Sequence, residues 1–206
     1  MRVDSAGSGM NLWICFDIYG KLPDTAIVLD ARLQLTVSSV ATNNAGSCGI
    51  YRCLKEPVES QTTWNISKTG INWKTAGAKS ESTTENDNDD ATKADRRTEA
   101  FPSVPPSYTW TFSGSSGLTT IIPLGNSWFQ GLVQGWIDGN VGSKRGLIFD
   151  GRDHMSPKAI DCTFHSSEAS SWANRPRLYV KYRVPSTTGC ARVGTWNRII
   201  YPRGYN

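Results

Sequence analysis

No stretch of this chain is apolar for long enough to cross a bilayer. Its opening, MRVDSAGSGM, has one basic residue and lacks the apolar segment of a secretory signal. The expectations are no membrane insertion, and either synthesis without signal-directed export or a sequence that is a mature or engineered piece of a longer one. Histidine is scarce: only His154 and His165 are present, and neither stands at metal-ligand spacing, so a zinc site is not expected. Cysteine is sparse and odd in number. Cys15, Cys48, Cys53, Cys162 and Cys190 include no C-x-x-C. Such a set reads as free, mostly buried thiols, which suit a reducing compartment better than a disulfide scaffold. An excess of one charge is missing too. The 22 basic and 18 acidic residues leave +4, and the basic residues are scattered, so nucleic acid is not an expected partner.

Catalytic signatures are equally absent. There is no G-x-S-x-G, no phosphate loop and no dinucleotide fingerprint. Gly7-Ser8-Gly9 and Gly114-Ser115-Ser116-Gly117 read as turns. His165 near Glu168 is a nominal acid–base pair, but a histidine on the wet face of a strand is the simpler reading. Asp150, Asp153 and Asp161 offer the carboxylates a glycosidase needs, yet strand-end carboxylates usually cap turns. The chain is therefore not expected to be an enzyme.

Period-two patterning is what the sequence does have. Leu12, Ile14, Phe16 and Ile18 alternate with Trp13, Cys15 and Asp17; Ala31, Leu33, Leu35 and Val37 alternate with Arg32, Gln34 and Thr36. Leu178, Val180, Tyr182 and Val184 alternate with Arg177, Tyr179, Lys181 and Arg183. Each pattern predicts a strand with one buried and one wet face. Shorter strands are predicted at 48–54, 108–112, 118–124, 145–150, 160–166 and 193–201. Residues 127–138, SWFQGLVQGWID, break the rule. Trp128, Leu132 and Trp136 beside Phe129, Val133 and Ile137 form one apolar helical face, capped at Asn126 or Ser127 and ended by Gly139. Many short strands separated by turns and one short helix predict an all-β sandwich.

Residues 78–100 form a long polar loop, and 102–107, PSVPPS, a stiff joiner. Asp87, Asp89, Asp90 and Asp95 in that loop are candidate calcium ligands, although the EF-hand glycine and terminal glutamate are missing; apart from calcium no cofactor is expected. Of the eight tryptophans, Trp64, Trp73, Trp128 and Trp136 are expected in the core, while Trp13, Trp110, Trp172 and Trp196 are less constrained. Trp196, Arg198, Tyr201, Arg203 and Tyr205 make an aromatic and basic tail suited to a subunit contact or a sugar platform.

Several pieces, in order, resemble the DNRLRE-type modules related to alginate-binding carbohydrate-binding modules. NLWICFDIYGKLPDTAIVLDARLQL (11–35) resembles their opening, and IYRCLKEPVESQTTWN (50–65) their central strand with its Glu and Thr-Trp. INWKTAGA (71–78) is similar to a Trp-x-x-x-Gly stretch of phage members. The helix 127–138 precedes Arg145-Gly146-Leu147-Ile148-Phe149; Phe164 to Glu168 and then Asn174 to Tyr182 resemble the closing signature. The resemblance implies a jelly-roll-like antiparallel β-sandwich over 11–184, with an N-terminal arm at 1–10 and an extension at 185–206.

It implies two functions. One is a structural phage virion protein: a capsid decoration, fibre or tail-associated module, made in the host cytoplasm and homo-oligomeric. Arg2 and the tail residues Trp196, Arg198, Tyr201, Arg203 and Tyr205 would then contact neighbouring subunits. The other is an extracellular or cell-surface carbohydrate-binding module, with Arg177, Lys181 and Arg183 facing an acidic polysaccharide. Family members begin with a further extended segment that is short here. The tail at 193–201, or a neighbouring subunit, is expected to supply the missing strand and cover an open sheet edge.

Overall fold

A computed structural model describes residues 2–4, 11–40, 46–82, 90–97, 108–112, 119–122, 127–139, 145–150, 161–185 and 195–200. Strands carry most of the regular structure. In chain order they are β1 (Arg2–Asp4), β2 (Leu12–Ile14), β3 (Ile27–Val40), β4 (Gly46–Cys53), β5 (Ile66–Lys68), β6 (Ile71–Asn72) and β7 (Glu81–Ser82). There follow β8 (Arg96–Arg97), β9 (Tyr108–Phe112), β10 (Thr119–Ile122), helix α1 (Ser127–Ile137), β11 (Leu147–Asp150), β12 (Asp161–Phe164), β13 (Arg177–Arg183) and β14 (Thr195–Ile200). Nearly all pairings are antiparallel; β7 with β8 is parallel. This is an all-β architecture of several sheets with one short helix, consistent with the expected sandwich class.

The chain forms two compact units: Met1–Cys15, Val37–Leu118 and Lys144–Phe164 make the first, and Phe16–Thr36, Thr119–Ser143 and His165–Asn206 the second. In the first, β11 pairs with β2 on one side and β4 on the other, and β4 continues to β8 and β9. The last residues of β3 pair with β12, which pairs with β1. The strand expected over 12–18 stops at Ile14. The Ile18 N–H bonds back to the Phe16 carbonyl at 3.1 Å, a three-residue turn that takes the chain out of the ladder. At Gly146, φ is +70°, and an added Cβ would lie 2.1 Å from the Ile14 carbonyl oxygen. Only glycine fits where β11 begins against β2.

In the second unit the earlier part of β3 pairs with β13, which pairs with β14 over six residue pairs, Leu178 opposite Ile200 through Arg183 opposite Thr195. The strand expected at 193–201 is thus present beside β13. Ala31, Leu33, Leu35, Leu178, Val180, Tyr182 and Ile200 are buried. Helix α1 buries Phe129, Leu132, Val133, Trp136 and Ile137, with Phe129 and Trp136 in edge-to-face contact at 6.3 Å.

The helix also does hydrogen-bonding work for β3. Gln134 Nε2 donates to the Ala26 carbonyl (2.9 Å), Gln134 Oε1 accepts from the Val28 N–H (2.8 Å), and Gln130 Nε2 donates to the Leu29 carbonyl (3.0 Å). One turn apart on the helix, these two amides stand where a further strand would pair. Buried or bordering backbone groups need such partners, and an edge so occupied cannot recruit another strand. Gln134→Ala should therefore cost about 1–3 kcal/mol, read as a lower urea midpoint. Gly146→Ala should cost more, since it adds a backbone clash to a left-handed φ. Unchanged midpoints would show that neither contact matters to stability.

Candidate functional site

One face of the β2–β11–β4 sheet is closed by its own chain. Tyr51, Cys53 and Ile148 alternate onto it, with Trp13 beside them, and Trp73 and Ala78 from the following excursion pack over them. The Trp13 indole N–H donates to the Arg145 carbonyl (2.6 Å), and that of Trp73 to the Thr63 carbonyl (3.0 Å). Trp64, expected in the core, is instead 37% exposed. Its ring fills the space a side chain at Gly77 would need, and φ at Gly77 is +79°.

Asp95, expected as a calcium candidate in a polar loop, instead organises this covering segment. Its carboxylate is fully buried. It accepts from Lys55 Nζ (2.7 Å) and from the backbone N–H groups of Lys74 (2.7 Å), Thr75 (3.0 Å) and Ser80 (3.1 Å). Lys55, equally buried, gives a further bond to the Asn72 carbonyl at 3.2 Å. Each carboxylate oxygen already has two donors, so Asp95 is committed to the fold and not to calcium.

Arg96 makes a second buried knot. Its Nη1 meets Asp150 Oδ2 at 2.5 Å, its Nη2 and Nε meet Glu81 Oε1 at 2.5 and 3.1 Å, and its guanidinium lies 3.8 Å from the centre of the Tyr51 ring. Asp150 is thereby a structural ion-pair partner; Asp153 lies outside the described residues. Glu168 is held locally, its N–H donating to Ser166 Oγ, while the His165 N–H donates to the Thr36 carbonyl.

Asp90 stays at the surface, where it accepts from the Thr92 N–H (2.8 Å) and hydroxyl (2.9 Å). Those bonds hold its carboxyl below the usual carboxylate range. Asp87 and Asp89 lie outside the described residues. Among the described residues no three His, Cys, Asp or Glu side chains cluster as metal ligands.

The open face lies in the second unit, on β3, β13 and β14. A surface trough of about 710 Å³ is lined there by Leu29, Asp30, Arg32, Tyr179, Val180, Lys181 and Ile199. Asp30 bridges Arg32 at 2.8 Å and stands opposite Lys181 in the register; the Tyr179 hydroxyl donates to Gln34 Oε1 at 2.7 Å. Ile199 is 43% exposed, and Leu29 is exposed beside it. Leu29 is on this face because of a bulge. Lys181 pairs with Asp30 but Tyr182 with Val28, so Leu29 has no opposite residue and the alternation reverses there. The three glycan candidates share β13: Lys181 lines the trough, Arg183 is exposed, and Arg177 Nη2 donates to the Trp172 carbonyl at 2.8 Å. Trp172 is 53% exposed, and the Arg175 guanidinium stacks 4.3 Å from its ring centre.

The expected interface residues are spread more widely. Arg2 lies in β1 opposite Thr163; Trp196 and Arg198 lie in β14 opposite Tyr182 and Val180. Tyr201, Arg203 and Tyr205 lie outside the described residues. Leu29, Asp30, Arg32, Tyr179 and Ile199 were not anticipated. Only a register signal can reveal Leu29, and a bulge leaves none in a single sequence.

Burial pushes the Cys53 thiol far above its ordinary range; its Sγ–H donates to the Lys55 carbonyl at 3.1 Å. The folded thiol keeps its proton where the unfolded one, with a pKa of about 8.5, loses it. The folded state then binds more protons, so Cys53 lowers stability as pH rises above that value, by up to about 1.4 kcal/mol per pH unit. Urea titrations between neutral and alkaline pH should show this slope, and Cys53→Ala should flatten it; an equal slope in the variant would refute the assignment. Asp95→Ala, which strands Lys55, should cost about 3–5 kcal/mol.

Searches of known protein families, curated proteins and solved structures found nothing that matches this chain, so its function rests on the chemistry of its own surfaces.

Proposed function

We propose that this chain is a non-catalytic structural or interaction module of an assembly, a phage virion protein of the capsid-decoration, fibre or tail-associated kind that contacts copies of itself. The open β3–β13–β14 face carries the proposal. It sets exposed Leu29 and Ile199 among Asp30, Arg32 and Lys181 beside β14, which among the described residues pairs only with β13. Apolar residues grouped within a polar rim are the usual composition of a protein contact, and a strand with one partner offers backbone donors and acceptors to another. The buried ion pairs Lys55–Asp95 and Arg96–Asp150 serve the fold. The ordered resemblance of 11–184 to DNRLRE-type modules, and of 71–78 to phage members, supports the same assignment.

A second reading has its own observation. Exposed Trp172, with Arg175 stacked on it and Arg177 tied to its carbonyl, places an aromatic plane beside cationic groups. That suits a carbohydrate-binding module of a surface or secreted protein recognising an acidic polysaccharide.

Light scattering with negative-stain imaging of the purified chain separates the two. The proposal expects a defined oligomer or filament, weakened by Ile199→Asp. A monomer that is retained on an acidic polysaccharide at low salt, and released by Trp172→Ala, would replace it with the second reading.

A further inference from the structure

Two borders in the second unit are finished differently. That of β3 is occupied by the helix amides of Gln130 and Gln134. β14 ends its sheet, and among the described residues it pairs with β13 alone. It has few of the usual guards of an edge strand. Its sequence, TWNRII, holds no proline, no lysine and no carboxylate, and its one charge is Arg198. Its register with β13 runs through six residue pairs without a bulge. Thr195, Trp196, Ile199 and Ile200 are all residue types that favour strands.

Charge decides how a second copy can approach. Arg32, Lys181 and Arg183 are exposed on one face of the sheet. Two such faces pressed together would oppose like charges, which costs affinity. Pairing edge to edge avoids this. It makes one continuous sheet in which the β13 strands of the two copies stand three strand spacings apart, about 14 Å. That exceeds the screening length of about 8 Å at physiological salt.

We infer that β14 pairs antiparallel with the β14 of a second copy about a two-fold axis, with Asn197 facing Asn197. The inference rests on the self-association proposed above and names its contact. Residues directly opposite in an antiparallel pair lie on the same face of the sheet. A two-fold axis through the joint also keeps each residue on the face it occupies in its own copy. The axis must therefore pass beside a residue, which meets its own twin; between two residues it would set an outward position opposite an inward one. Within Thr195–Ile200, an axis at Asn197 or at Arg198 opposes five residues of each copy, and any other opposes three or fewer. At Arg198 it sets like charges directly opposite, which is unfavourable. At Asn197 it sets Trp196 opposite Arg198 and gives exposed Ile199 a neighbour in Thr195. The contact is isologous and closes as a dimer.

Cysteine substitution tests this register. In it the two residues 197 lie about 5 Å apart between Cα atoms, within disulfide reach. The two residues 198 lie about 8 Å apart, outside that reach. Light scattering should show the wild type as a dimer, and circular dichroism confirms that each variant folds. Mild oxidation should link most of Asn197→Cys into a dimer that a reducing agent reverses. Arg198→Cys, and the wild type with its native cysteines, should stay unlinked. An equimolar mixture of Thr195→Cys and Ile199→Cys should link as well, an independent check of the same register. Linking at 198 in place of 197, or an associated wild type in which no probe links, would overturn the β14 joint and leave self-association standing. A wild type monomeric at every concentration would overturn both.

Discussion

The carboxylate of Asp95 is the constraint around which the first unit is arranged. A buried carboxylate is costly unless every lone pair is used, and here two oxygens collect an ammonium and three backbone N–H groups. Those donors come from widely separated points, Lys55 at the end of the central strand and Lys74, Thr75 and Ser80 in the excursion that follows. A single side chain thus ties the covering segment down onto Tyr51, Cys53 and Ile148. Arg96, the next residue, binds Glu81 and Asp150, with its plane on Tyr51. Adjacent residues of opposite charge thus hold the covering segment over the Tyr51 face of the sheet.

The face of β3, β13 and β14 that carries Leu29, Asp30 and Lys181 is, by contrast, an exposed sheet surface. Its apolar content is set by backbone geometry more than by composition. The bulge opposite Lys181 and Tyr182 turns Leu29 outward and Val28 inward. Without it Leu29 would lie with Ala31 and Leu33 in the core, and the trough would lose one wall.

Period-two alternation made most strands legible in the sequence, and the apolar helical face of 127–138 did the same for the helix, because burial on one face leaves a regular trace. Residues 31–37 and 177–184 stand out for that reason, whereas the ends of β3, Ile27 to Asp30 and Ser38 to Val40, do not keep the alternation and were missed. Non-periodic features were hidden. Asp95 and Arg96 look like members of a polar loop; their burial depends on partners 40 and 54 residues away, which no local pattern encodes. Trp64 looks like core but serves as a cover over Gly77. The basic residues of β13 were visible as candidates, whereas Arg32 and Asp30 join them only once β3 and β13 are aligned.

The amides of Gln130 and Gln134 have a consequence for how the protein is made. They satisfy the border of β3 from positions more than a hundred residues further along the chain. A ribosome adds about 5–20 residues per second, so several seconds pass between the emergence of β3 and that of its protector. Throughout that interval a long apolar strand has bare donors and acceptors. A polypeptide built this way is safest when its nascent copies are kept apart, so crowded synthesis on shared messages should be its weak moment.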